Sequence, residues 1–517
     1  MKSLGELCEG IIESPLPEEF QSKKIQRLTA DSRQVEPGSL FIAWEGKQTD
    51  GHKYISEAIA RGAEVILCEK PLEVPPEILL IPVENSRRTY ALLCSRWFDH
   101  PEKSLHTVGI TGTNGKSSTA YYLYQLWRGL QRKTGLIGTV FCLAEETVLP
   151  ATLTTPDSYE LYRLLRHFVD SGITHVAMEV SSIALDQYRT EGIPFQGAVF
   201  TNLSHDHLDY HGTFTAYRDA KKRLFDRLAS ESFALTNIDD KNGLFMLQNT
   251  AAYRYGYSLQ QVSDFQLSLR EAGLWGMEYE LRVHLGENQP RRKAELPFEV
   301  HIGNLHAPLI GRFQGYNLLA AVAATFLSEY RSKDHEERRG LWQHLALLST
   351  QLKTLPGRLE PISLGHERMG LVDYAHTPDA VEKVLRSLRS LVPAGGKLIA
   401  VLGAGGNRDR SKRGPMGIAA AQWADMAILT SDNPRNEDPL SILEEMCAPI
   451  PADLRRRVLR IPDRREAIRT AIQMAPPHSL IIVLGKGHET YQEIQGVKYP
   501  FSDREELLRY KEEPYAE

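Results

Sequence analysis

"VGITGTNGKSS", residues 108–118, sets a short apolar run directly against glycines at 112 and 115, a lysine at 116 and serines at 117 and 118. The run reads as a strand, and the stretch after Gly115 reads as the start of a helix. A glycine-rich turn between the two aims successive backbone N–H groups at an anion, and the helix adds its positive end. Gly112, Thr113, Asn114, Gly115 and Ser118 belong to such a cradle. Lys116 has the charge to offset β and γ phosphates, and Ser117 has a hydroxyl to offer Mg2+. The spacing is not that of the ordinary Walker loop, which needs a glycine where Ile110 stands. Taken alone, the stretch is either a nucleotide loop of another kind or a glycine-rich turn with an exposed lysine.

Outward from the loop, the apolar runs "THVAMEV", "QGAVFTNL" and "FALTNID" alternate with helical stretches such as "DSYELYRLLRHFVDSG". That alternation predicts a parallel sheet covered on both faces. Residues from about 245 to 310 are less regular and read as an antiparallel extension. Upstream, "GSLFIAW" and "AEVILCE" read as strands and "HKYISEAIARGA" as a helix of a small α/β unit. The segment "DHPEKS" before Leu105 reads as a linker. Downstream, "GLVDYAHTPD", "KLIAVLGAGGNRD", "MAILTSDNPR" and "LIIVLGKGHE" each end in a polar or glycine-rich turn. In open α/β sheets the ligand crevice lies beyond the carboxyl ends of the strands, so these turns are candidates for chemistry. The expected architecture is α/β in three domains. These are a small N-terminal unit (1–100), a central P-loop ATPase-like parallel-sheet unit (101–350) and a C-terminal Rossmann-like unit (351–517).

A chain of 517 residues exceeds what one core organises, which agrees with several domains. A net charge of −5 gives no positive field for nucleic acid. The five cysteines form no CxxC pair, so a disulfide framework or structural zinc site is not expected. The start "MKSLGELCEG" lacks the apolar core of a signal peptide, and no window holds the roughly 20 apolar residues needed to cross a bilayer. The expectation is a cytoplasmic enzyme without membrane insertion, and a monomer.

Past the loop, Glu179 ends the apolar run of "AMEVSS", the position of a carboxylate that meets a loop-bound magnesium. His205, His207 and His211 with Asp206 and Asp209 suggest a metal cluster, a polar surface loop, or a single ligand, His207, in a magnesium–phosphate site. No common zinc spacing is present.

"GITGTNGKSS", "LTTP", "MEVSS", "TNLSHDHLDYHGT", "AYRDAKKRLF", "LPGRLE", "VDYAHTPDA", "GAGGNRDRSKRGPMG", "SDNPRNEDP" and "GKGHETYQ" follow one another in an order that resembles the Mur ligase family, as does the earlier "DSRQVEPGSLFIAWEGKQTDGHKY". The pattern G-x-x-G-T-N-G-K-[ST] is the form of the loop in that family. The resemblance is strongest to the branch that extends UDP-MurNAc-L-Ala-D-Glu with meso-diaminopimelate at the expense of ATP. It implies an acyl-phosphate route and a carbamate on Lys221, which would join Ser117, Glu179 and His207 as magnesium ligands. Lys116, Lys221, Glu179 and His207 are the catalytic set it implies. It assigns Ser32, Lys47, Gln48, Thr49, Thr154, Thr155, Ser181, Gln187 and Arg189 to the UDP-linked substrate. Arg358 and Asp373 join the loop as ATP contacts. Arg408, Asp432, Asn433, Pro434, Arg435, Gly485 and Glu489 match the amino-acid pocket, where a guanidinium can grip a carboxylate that lysine lacks. A lysine-adding branch and folylpolyglutamate synthetase are alternatives that the "DNPR" box argues against. A P-loop switch protein is the alternative from another class. Gln314 and Leu153 depart from the family pattern, which commonly has asparagine at both places.

Overall fold

The computed structural model describes residues 1–46, 49–149, 153–204, 206–286 and 298–511. Its backbone is organised by three large sheets, whose parallel strands are mostly buried because both faces are covered; two further sheets have two strands each.

The central sheet has eleven strands. Seven run parallel, in the spatial order Thr134–Ile137, His175–Glu179, His106–Thr111, Gly197–Phe200, Phe233–Asn237, Tyr253–Ser258 and Phe265–Gly273. His106–Thr111 is thus flanked by strands reached in opposite directions along the sheet. The crevice at its carboxyl end is a topological switch point, and the phosphate loop sits there. The extension expected from 245 to 310 is present, with Gly276–Leu285 and Phe298–Ala307 antiparallel. Tyr253–Ser258, inside the same span, is parallel instead. On the face of this sheet, Lys116–Gly129 packs against Phe313–Glu329. The second helix is buried nearly all round, and its small residues Ala320, Ala321, Ala323 and Ala324 let it approach closely.

The N-terminal sheet is parallel and in chain order: Arg27–Thr29, Ser39–Ile42, Ala63–Cys68 and Leu79–Pro82. Its inner face shares one core with the central sheet, in which Leu40, Val65 and Leu67 join Met178, Val180 and Ala198. The segment read as a linker is packed rather than loose. It forms a short 3-10 helix, Pro101–Ser104, with Pro101 and Glu102 buried and Glu102 accepting from Ser95 Oγ at 2.8 Å.

The third sheet has the order Arg358–Ser363, Met369–Asp373, Leu480–Leu484, Leu398–Ala404, Met426–Ser431 and Val458–Arg460, parallel except for its first strand. Its register pairs Asp373 with Leu484, Leu402 with Leu484 and Ala404 with Ser431. Four loops far apart in sequence therefore leave the sheet along one edge. All five cysteines are free thiols, four of them buried. Among the described residues no helix is long and apolar enough to cross a membrane.

Candidate active site

The phosphate loop has little freedom. Gly112 has φ 150° and a Cβ there would lie 1.9 Å from Thr201 Oγ1; Gly115 has φ 87° and a Cβ would lie 2.4 Å from Asn317 Oδ1. Neither position admits a side chain. The loop is laced to the segment after Gly197–Phe200: Thr113 N–H donates to Asn202 O (2.8 Å), Asn114 N–H to Asn202 Oδ1 (3.0 Å), and Asn202 Nδ2 to Asn114 O (2.9 Å). Ser204 N–H donates to Thr113 Oγ1 (3.0 Å). Lys116 Nζ reaches back over the loop to Gly112 O (2.9 Å) and Thr113 O (2.8 Å), and burial pulls its pKa down from the usual lysine value. Ser118, in the first turn of the helix, is buried. Gln314 accepts from Tyr122 Oη (3.0 Å) and from Asn317 Nδ2 (2.9 Å), so this departure from the family pattern holds the asparagine that lies against Gly115. Leu153, the other departure, is exposed.

Beside the loop, Ser117 Oγ donates to Glu179 Oε2 at 2.8 Å. Glu179 also accepts from Thr139 N–H (2.7 Å) and Thr139 Oγ1 (3.1 Å). These are hard oxygen donors set side by side, the set a magnesium ion prefers. His207 lines the cavity elsewhere, and Lys221 is buried behind the loop. The His207 ring meets the Tyr217 ring at 6.2 Å, and Lys221 Nζ sits 4.6 Å from the centre of the same ring. Lys221 Nζ donates to Gly112 O at 2.8 Å. Burial and then the charge of Lys116 push its pKa well below the usual lysine value. His207 is held below the ordinary histidine value by burial. Among the described residues no three His, Cys, Asp or Glu side chains form a metal-binding group, and His205 lies outside those residues.

The residues matched to the UDP-linked substrate are drawn together on the other side of Glu179. Thr154 Oγ1 accepts from Thr139 Oγ1 (3.0 Å), and Thr155 Oγ1 donates to Glu179 O (2.8 Å) while accepting from Ser181 N–H (3.1 Å). Ser181 caps the helix Ser182–Asp186. Arg189 binds Thr155 O through Nη1 (2.8 Å) and Gln187 Oε1 through Nη2 (2.7 Å). In the first sheet's loops, Ser32 Oγ donates to Glu57 Oε2 (3.3 Å) and Thr49 Oγ1 pairs with Tyr54 Oη (3.3 Å). Lys47 and Gln48 lie outside the described residues.

A cavity of about 480 Å3 joins the loop to the third sheet, lined by Lys116, Glu179, His207, Arg358, Tyr374 and His376 among others. Arg358 stacks over the Tyr374 ring at 4.7 Å. Asp373 also lines the cavity, but its carboxylate is engaged by Leu359 N–H and Ala375 N–H, both at 2.8 Å. Burial raises its pKa. It shapes the turn that carries Tyr374 and His376. Two residues, Asp379, which the sequence reading did not single out, and Asp206, which it named only within the His-Asp loop, connect the sheets directly. Asp379 Oδ2 accepts from Ser204 Oγ (2.9 Å) and Asn114 Nδ2 (3.4 Å), and Asp206 pairs with Lys412 at 3.7 Å. Asp206 was visible only as one member of a His-Asp loop; Asp379 carried no signal beyond its place in "HTPDA".

Farther along the same edge, Gly405 lies against the Arg435 guanidinium and the aliphatic stem of Arg408. A Cβ there would meet Arg435 Nη1 at 3.1 Å and Arg408 Cγ at 3.4 Å. Arg435 has φ 51°, donates from Nη1 to Gly406 O (2.8 Å) and pairs with Glu493 (3.2 Å). Pro434 O packs where a Cβ of Gly406 would fall, at 1.9 Å, and Gly485, φ 111°, leaves room for Asp432 Oδ2 at 2.6 Å. Asn433 Nδ2 donates to Glu489 Oε2 at 2.8 Å.

A glycine-rich phosphate loop at a sheet's switch point, facing a second parallel sheet across a cleft, defines a nucleotide-using α/β enzyme of the two-sheet ligase kind. The chain belongs to the Mur ligase family. Residues 24–97 match the family description "Mur ligase family, catalytic domain", residues 110–325 "Mur ligase middle domain" and residues 357–487 "Mur ligase, glutamate ligase domain". A relative from Cytophaga hutchinsonii named UDP-N-acetylmuramoyl-L-alanyl-D-glutamate–2,6-diaminopimelate ligase is 44% identical over 92% of this chain and 92% of its own. One of the same name from Bacteroides fragilis is 42% identical over 94% and 95%. A solved structure of a ligase of that name is 32% identical, with a TM-score of 0.66 over 97% of this chain and 98% of the other.

Proposed function

We propose that this chain is an ATP-dependent ligase of peptidoglycan synthesis that joins meso-diaminopimelate to the glutamyl carboxylate of UDP-MurNAc-L-Ala-D-Glu. The observation that carries the reading is the cavity in which the phosphate loop, Glu179 and Arg358 face one another across two sheets. The glutamyl carboxylate oxygen attacks the γ phosphorus and ADP leaves, which gives an acyl phosphate. The amine of the amino acid then attacks the acyl carbon, inorganic phosphate leaves, and the nitrogen loses a proton. Charge develops on phosphoryl oxygens, so positioning and preorganised donors dominate the catalysis. The loop amides and Lys116 meet the phosphates, Arg358 closes over them from the third sheet, and Arg189 with Thr155 and Ser181 fixes the dipeptide.

Ser117 and Glu179 would hold Mg2+, with His207 at the rim; the ion supplies electrostatic neutralisation of the transferring phosphoryl group when bound. Lys221 is read as a carbamate. Its amine, in the neutral form that burial favours, adds to CO2 with loss of one proton, and the product places a carboxylate beside the loop. Ser32 and the segment 47–49 form the uridine side. Asp432, Asn433, Pro434, Arg435, Arg408, Gly485 and Glu489 form the amino-acid pocket, in which the guanidiniums meet the far carboxylate. The domain limits fall near 100 and 350, and the protein works as a cytoplasmic monomer.

Phosphate release measured with ATP, the UDP-linked dipeptide and a panel of diamino acids tests the reading. Release should require both substrates and be fastest with meso-diaminopimelate. Release without the amino acid at the full rate would make the chain a nucleotide switch, and preference for L-lysine would overturn the amino-acid assignment alone.

A further inference from the structure

One buried cation in the third sheet has no part in the proposed chemistry. Lys486 follows Gly485 and is fully buried. Its Nζ donates to Asn433 Oδ1 at 3.0 Å and to Glu489 Oε2 at 2.9 Å, and it lies 5.5 Å from the Tyr491 ring centre. An ammonium can only donate, and Glu493 N–H also donates to Asn433 Oδ1, at 2.9 Å. The Asn433 amide therefore has one permitted orientation, with its oxygen toward Lys486 and its Nδ2 toward Glu489. Both donors converge on Glu489 Oε2. Glu489 Oε1 is left, among the described residues, without a hydrogen-bond donor from the protein.

We propose that Lys486 is a specificity-determining positioning residue. Its ammonium braces the Asn433 amide and occupies one oxygen of Glu489, so that Glu489 has its other oxygen left to accept in a pocket that also carries Arg408 and Arg435. That polarity fits an amino-acid head that is itself a zwitterion, with ammonium toward Glu489 and carboxylate toward the guanidiniums. Without Lys486 the Asn433 oxygen keeps only the Glu493 N–H, and Glu489 keeps a half-buried charge with a neutral amide and no cation beside it. The inference rests on the ligase reading above and adds to it the group that orients its amino-acid site.

Two measurements on Lys486→Met and Lys486→Gln test it. The first is the KM for meso-diaminopimelate in phosphate release. The second is hydroxamate formation from ATP, the UDP-linked dipeptide and hydroxylamine without the amino acid, which reports acyl-phosphate formation only. Lys486→Met should raise the KM for meso-diaminopimelate by about tenfold or more, the scale of a charged hydrogen bond, and leave hydroxamate formation as in the wild type. Lys486→Gln keeps a donor for Asn433 Oδ1 without the charge and should raise KM less; it carries the same comparison if the methionine variant does not fold. An unchanged KM, or hydroxamate formation that falls in step with amino-acid use, overturns the proposal. A wild-type chain that yields neither product overturns the ligase reading instead.

Discussion

The loop proposed to hold phosphate and the loops proposed to hold the amino acid occupy equivalent places, each beyond the carboxyl ends of parallel strands, but they are built on different principles. The first is contiguous: residues 112–118 supply amides, a lysine and a hydroxyl, and neighbouring segments only brace them. The second is assembled from three strand ends, at 405–408, 432–435 and 485–489, and its polar groups are side chains interlocked in pairs. Arg435 holds Glu493, and Lys486 holds Glu489 and Asn433. A phosphate, similar from every side, can be met by backbone. An amino-acid head with charges of both signs needs side chains whose orientations are each fixed by another.

The sharpest way to break this contrast is at Lys116. Lys116→Ala removes a charge that no braced neighbour replaces, and turnover in phosphate release should fall by at least ~100-fold. Near-normal turnover would remove the loop from the chemistry. Arg435→Ala comes next. It should cost on the order of 10- to 100-fold in kcat/KM for meso-diaminopimelate, equivalent to about 1.5–3 kcal/mol, with little change in any residual use of L-lysine. Equal loss with both amino acids would mean that Arg435 shapes the loop and does not read the substrate.

Asp379, shortly after the strand Met369–Asp373, ties the third sheet to the loop at 112–118, and its removal tests whether the two sheets act together. Asp379→Ala gives up the contacts to Ser204 and Asn114, and roughly a tenfold loss of kcat is expected. Asp379→Asn, which still accepts from both donors, should recover most of it. If the two variants behave alike, the contact between the sheets is incidental.

The smallest effect concerns the opposite end of the loop-bearing strand. His106, packed on His175 and Trp127, has its pKa lowered to about 4 by burial, with the charge of His175 adding to the shift. Its folded value lies below the unfolded value near 6.5, so the unfolded chain binds the extra proton between them. Its contribution is complete above about pH 6.5 and is lost as pH falls toward 4, about 2 kcal/mol by pH 5. A melting curve series should show the wild type losing more stability between pH 7 and 5 than His106→Gln, with phosphate release at neutral pH unaffected. A parallel decline in both proteins would exclude His106 as the source.

Several elements escaped the sequence reading for the same reason. Thr134–Ile137, Cys142–Ala144 and Val458–Arg460 are three or four residues long, too short for either periodicity to register. The edge strand Arg358–Ser363 carries a proline, which demotes a strand unless it lies at an edge, where it does lie. "DHPEKS" read as a linker because charge and proline interrupt the pattern. Only the neighbouring Ser95 and the packing of Ser158–Asp170 against that segment make a buried turn of it.

What the amino-acid order determined by itself is local and conformational. Glycines at 112 and 115 permit the positive φ that the turn adopts, Ser117 follows the lysine, and long apolar runs alternate with helices. Each of these is decided within a few residues, by sterics and periodicity. Tertiary structure alone decided which distant groups meet. The register that aligns Asp373, Leu484, Ala404 and Ser431 brings Arg408 and Arg435 together beside Gly405 and brings Lys486 to Asn433. The third sheet's approach to the central one sets Asp379 over Ser204. A hydrogen bond forms within about 3 Å, and residues such as 204 and 379 are brought that close only by the packing of whole sheets.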